Sequence, residues 1–149
     1  MGYFVKGSGA IQIEKQHHEE LYEELMALNY LPDTEKRGGS WDKGKRTSAW
    51  FSWMPADLAE LPTVNAVFER LGFETHTDSE GNLRLLAYDN KQGQEELFIQ
   101  TAAPFVKDGS VFQWWGEDGA SWYWEFHNKR LLIGHAKRLS EAELDIAHI

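Results

Sequence analysis

The tightest constraint in this chain is the run Ser121-Trp122-Tyr123-Trp124-Glu125-Phe126-His127. Successive side chains on a strand point to opposite faces, so Trp122, Trp124 and Phe126 must share one face and Tyr123, Glu125 and His127 the other. So large an apolar payload on one side needs a covering layer. Turn-forming residues flank the run: Gly116-Glu117-Asp118-Gly119 separates it from Val111 to Trp115, and Asn128-Lys129 from Arg130 to Lys137, which predicts a three-stranded antiparallel meander.

The remaining pattern supplies partners for that sheet. Tyr3 to Glu14 alternates loosely around Gly7-Ser8-Gly9, the mark of a bulged strand. Gln16 to Asn29 places Leu21, Leu25 and Leu28 on one helical stripe, with Glu19, Glu20, Glu23 and Glu24 on the opposite face. Thr63 reads as an N-cap for Val64, Val67, Phe68 and Leu71, with Gly72 as the stop. Phe73 to Thr77 and Leu83 to Tyr88 flank Asp78-Ser79-Glu80-Gly81-Asn82 as a hairpin. Gln94 to Ala103 predicts a third helix with Leu97, Phe98, Thr101 and Ala102 on its buried side. Ala49 to Met54 reads as a buried strand ending at Pro55, and Ser140-Glu141-Ala142-Glu143 as the start of a short helix over 141–149. The pattern specifies one α+β domain over residues 1–149: an aromatic-rich antiparallel sheet with the C-terminal meander, and two to three helices packed on one face.

Composition narrows the chemistry. The 149 residues include seven Trp and no Cys, so thiol nucleophiles, thiolate metal sites and disulfides are excluded. No secretion-type apolar run and no stretch near 18 apolar residues occurs, which predicts a cytoplasmic protein without a membrane partner. The net charge of −9 disfavours binding to an extended nucleic acid and favours a basic partner. Its distribution is uneven: Lys36 to Arg46 holds five cations and one acid, a local +4 against −13 for the remainder.

Catalytic motifs are missing. His17-His18-Glu19-Glu20 lacks the HExxH spacing, the other His are scattered, and no metal or cofactor is expected. Gly7-Ser8-Gly9 lacks the ending of a P-loop, and no Gly-x-Ser-x-Gly elbow occurs. Glu117 and Asp118, beside the Trp-rich strands, are the one carboxylate pair that could serve a small hydrolase, though they are also ordinary turn formers. The balance lies against an enzyme.

Three surfaces remain as binding candidates. The segment 32–48 reads as a mobile basic loop in which Lys36, Arg37, Trp41, Lys43, Lys45 and Arg46 could close over a small anionic ligand or nucleotide. The acidic helix face of Glu19, Glu20, Glu23 and Glu24 could meet a basic protein. Trp114 and Trp115 must point to opposite faces, so one of them, with Tyr123, Glu125 and His127, belongs to an outer strip; Trp115 is assigned there. A protein partner is the leading expectation and the anionic ligand the alternative.

Met1-Gly2-Tyr3 with Gly7-Ser8-Gly9-Ala10-Ile11-Gln12-Ile13, and Gly116-Glu117-Asp118-Gly119 with Trp122-Tyr123-Trp124-Glu125-Phe126, resemble small uncharacterised α+β proteins of actinobacteria and their phages. The resemblance touches both ends and leaves Tyr30 to Met54 unmatched. It implies a compact fold and supplies no catalytic residues. A phage origin would imply a host-directed inhibitor or anti-defence protein acting in the host cytoplasm.

Overall fold

The computed structural model of the chain describes residues 3–36, 38–42, 45–51 and 53–135, with residues 33, 39–42 and 45–48 described by backbone alone. Its centre is a six-stranded antiparallel sheet of β1 (Phe4–Ile13), β4 (Phe73–Thr77), β5 (Leu83–Lys91), β6 (Val111–Gly116), β7 (Ser121–His127) and β8 (Arg130–Gly134). The spatial order is β4-β5-β1-β6-β7-β8, an open sheet with β4 and β8 at its edges. A separate hairpin joins β2 (Gly38–Asp42) to β3 (Lys45–Ala49). Three helices, α1 (His18–Ala27), α2 (Val64–Leu71) and α3 (Glu95–Ala102), complete the α+β architecture.

The chain's opening residues form the sheet's spine, because β1 pairs with β5 on one side and β6 on the other. The expected bulge lies between Ser8 and Ile11. Gly7 makes the close approach of β6 possible: a Cβ there would lie 2.2 Å from the Phe112 ring. One sheet face buries Val5, Ile11, Ile13, Leu83, Leu85, Tyr88, Phe112, Trp114, Trp124 and Phe126. Phe73, Tyr88, Phe112, Trp114 and Trp124 touch mostly edge to face, with Trp114 and Trp124 at 4.7 Å between centroids. Such pairs add roughly 0.5–1.5 kcal/mol beyond the area they bury.

Helical apolar stripes close this face. Leu21 and Leu25 of α1, Val64, Val67, Phe68 and Leu71 of α2, and Phe98, Ile99 and Ala102 of α3 are all buried. Thr63 caps α2 by accepting the Ala66 N–H at 3.0 Å, and Gly72 ends it at φ 129°, where a side chain would be strained. The span expected from Gln16 to Asn29 is helical, with single 3-10 turns on either side of α1.

Several expectations need correction. The segment read as an irregular loop over 32–48 holds a 3-10 turn (Asp33–Glu35) and the β2–β3 hairpin. A two-stranded ribbon is specified by backbone pairing, so it can carry Gly, Ser and charge without the apolar alternation that betrays a core strand. Trp50, Phe51 and Met54 are buried as expected, but β3 ends at Ala49 and the chain turns there, with the Met54 N–H donating to the Phe51 carbonyl at 3.1 Å. The run is apolar because it is buried, and a buried turn carries the same signal as a buried strand. On α3 the buried set is Glu95, Phe98, Ile99 and Ala102, so Leu97 and Thr101 lie at the margin of the core face assigned to them. β8 ends at Gly134, and the helix expected over 141–149 lies outside the described residues.

Candidate functional site

Alternation along β6 and β7 delivers the outer strip as a physical surface. Trp114 is 1% exposed and its neighbour Trp115 41% exposed, on opposite faces of one strand. Trp115 stands opposite Lys6 on β1 and Ser121 on β7, two positions from Tyr123, which pairs with Gln113. Glu125 pairs with Leu132 and contacts His127, whose Nε2 lies 3.3 Å from Glu125 Oε2. The four residues expected to share this face do so. Phe4, Trp115 and Leu132, three of the exposed large apolar residues, lie on it. No helix covers it among the described residues.

Tyr123 is held in place by what lies beneath it. Its ring crosses Gly134 so closely that a Cβ there would meet the phenol carbon at 2.1 Å. Glycine on an edge strand covered by a neighbouring aromatic fixes that ring's orientation, which lowers the entropy lost when a partner docks on it. The rim mixes signs, with Lys6 and Asp89 paired across β1 and β5, and Arg130 opposite His127.

The other two candidate surfaces fare differently. Lys36, counted among the loop cations, is 6% exposed; its ammonium donates to the Asn29 carbonyl at 3.3 Å and lies 5.9 Å from the Trp50 ring centroid. It anchors the start of the hairpin to the α1 end and is not a free ligand-binding cation. A lysine's long apolar stem allows this burial, and sequence alone gives no sign of it. The side chains of Arg37, Trp41, Lys43, Lys45 and Arg46 lie outside the described residues. On α1, Glu19, Glu20, Glu23 and Glu24 are exposed. Glu20 also borders a cleft of about 540 Å³ with Glu14, His17, Phe105, Lys107 and Lys129, whose charges are mixed.

Glu117 and Asp118 act as a latch. The Tyr3 hydroxyl and the Ala120 N–H donate to the Asp118 carboxylate, and the Phe4 N–H donates to Glu117 Oε1 at 3.2 Å. The Tyr3 bond, then the backbone bond, hold the Asp118 carboxyl below its ordinary range. That shift is opposite to what a general acid needs. The pair ties the first residues of the sheet's spine to the β6–β7 turn.

The carboxyl with a raised pKa is one that sequence reasoning missed. Glu95, at the first turn of α3, is 4% exposed. Burial pushes its pKa up, partly offset by its own backbone N–H and that of Gly93, which donates at 2.7 Å. It lines a pocket of about 390 Å³ with Glu96, Trp122, Trp124, Ile133 and His135. Its only sequence signal was its position, three and four residues before Phe98 and Ile99 on the buried stripe. Nearby Tyr88 is raised too, by burial first and by Glu95 second, and its hydroxyl donates to the Lys91 carbonyl at 2.8 Å.

Among the described residues no three potential metal ligands gather, and no helix is long and apolar enough to cross a membrane. The chain matches no family model, and no curated protein or solved structure matches it.

Proposed function

We propose that this chain is a non-enzymatic interaction protein that docks a protein partner on the open face of its sheet. The observation that carries the reading is the exposure of Trp115 on the same sheet face as Phe4, Leu132 and a pre-positioned Tyr123, a face that no helix covers among the described residues. Exposed aromatic and aliphatic groups grouped in this way are the anatomy of an interface centre, and the mixed charges around them form a polar rim. The net charge of −9 favours a partner with basic groups around its apolar contact, and disfavours a nucleic-acid backbone. The partner is a cytoplasmic protein, a host protein if the chain is phage-encoded, and its blockade would make this chain an inhibitor.

The test is affinity capture with the intact chain beside two surface variants, Trp115→Ala and Leu132→Asp, each confirmed folded by its melting temperature. A partner held by the intact chain and lost by both variants supports the open face as the site. A partner indifferent to both, yet released by reversing Glu19, Glu20, Glu23 and Glu24, moves the site to α1 and overturns this reading.

A further inference from the structure

The pocket at the first turn of α3 combines features that the rest of the surface keeps apart. Its buried polar group is Glu95, more than nine-tenths buried; its walls are Trp122, Trp124 and Ile133, and the exposed Gln92, Glu96 and His135 also line it. Among the described residues the Glu95 carboxylate accepts only from backbone, with Gly93 at 2.7 Å, and forms no ion pair. Glu96 at the same mouth adds a second negative charge that works against the first. The α3 N-terminus relieves part of this cost, but a partial charge on helix N–H groups does not replace a counter-ion. A glutamine would keep the Gly93 bond without the burden of charge, so the carboxylate is an electrostatic demand left unmet among the described residues.

The chemistry that meets this demand is narrow. A divalent metal would need a third oxygen or nitrogen ligand, and no such trio gathers among the described residues. An anion is repelled by two carboxylates. A cation with hydrogen-bond donors satisfies Glu95, and indole faces attract cations while receiving an apolar body. A pocket of about 390 Å³ suits a small molecule or a single side chain. We propose that this pocket binds a primary ammonium ion carrying a compact apolar body, with the ammonium on Glu95 and the body against Trp122 and Ile133. The site lies on the helix-covered side of β7 and β8, opposite the open face, so it stands whether or not a protein docks there.

The probes are 2-phenylethylammonium, its neutral analogue 2-phenylethanol and the anion 3-phenylpropanoate, titrated calorimetrically at neutral pH into the full-length chain. Ammonium binding at least about tenfold tighter than the alcohol, with no detectable carboxylate binding, is expected. Glu95→Gln should weaken the ammonium at least about tenfold while its melting temperature stays equal or rises. Ile133→Lys, a change at a half-exposed edge position that puts an internal ammonium at the mouth, should also abolish binding. Trp115→Ala should leave binding unchanged. Equal affinity for ammonium and alcohol, undiminished binding by folded Glu95→Gln, or no ammonium binding up to about 10 mM would each overturn the proposal.

Discussion

The two faces of the central sheet are cut from the same strands, yet they behave as different materials. On β6, Trp114 faces the helices and is sealed, while Trp115 faces outward and stays 41% exposed. On β7, Trp124 and Phe126 are core residues, whereas Tyr123, Glu125 and His127 form part of the open strip. Residue type does not distinguish the faces, since aromatics occupy both. Cover does: among the described residues, α1, α2 and α3 bring a second apolar layer to one face and not the other. The lesson is that an indole's contribution depends on the layer opposite it, to stability on one side and to recognition on the other.

The two faces should differ most at the neighbouring tryptophans. Trp114→Ala should cost roughly 3–5 kcal/mol, because a cavity opens among Phe73, Tyr88 and Trp124. Trp115→Ala should cost less than about 1 kcal/mol in the same urea titration. Comparable losses would show that the open face is covered in solution.

The glycines under the aromatic rings sharpen the contrast at a smaller scale. Gly7→Ala pushes a methyl into the Phe112 ring inside a packed core and should cost about 1–3 kcal/mol. Gly134→Ala pushes one into Tyr123, which is half-exposed and can swing away, so its cost should stay below about 1 kcal/mol. Thermal unfolding of both variants checks the order, and the Gly134 variant should weaken partner binding more than it weakens the fold. Thr63→Ala, which removes a cap on the covering layer, should cost about 1 kcal/mol and leave partner binding intact.

Two carboxylates give pH dependences of opposite sign. The raised pKa of Glu95 means that its stabilising contribution is complete below the ordinary glutamate value and is lost as pH rises through the folded value. Glu95→Gln should therefore gain on the parent chain as pH increases through that window. Asp118 is lowered, so its contribution is present above the ordinary aspartate value and lost as pH falls through the folded one. Asp118→Asn and Tyr3→Phe should remove that acid-side dependence by small amounts. Unfolding curves from acid to neutral pH read both signs.

How far the sequence disclosed this molecule depended on whether the signal was local. The β7 alternation, the Thr63 and Gly72 signals of α2 and the Gly81 turn at φ 88° follow from neighbouring residues, and all were legible. The insertion of β1 between β5 and β6 was not, because pairings such as Lys6 with Trp115 join residues far apart in the chain. The outer strip was legible by parity alone. Glu95 and Lys36 were misjudged or missed because a charged residue's burial depends on what folds over it: α3 turns Glu95 inward, and Asn29 and Trp50 receive Lys36.

The most direct test of the docking account is acrylamide quenching of tryptophan fluorescence, comparing the intact chain with Trp115→Phe, free and with the captured partner. The difference between the two proteins isolates Trp115. A readily quenched Trp115 component is expected in the free chain and should become shielded when the partner binds. A Trp115 component that stays equally accessible in the complex would contradict this and remove the open face as the binding site.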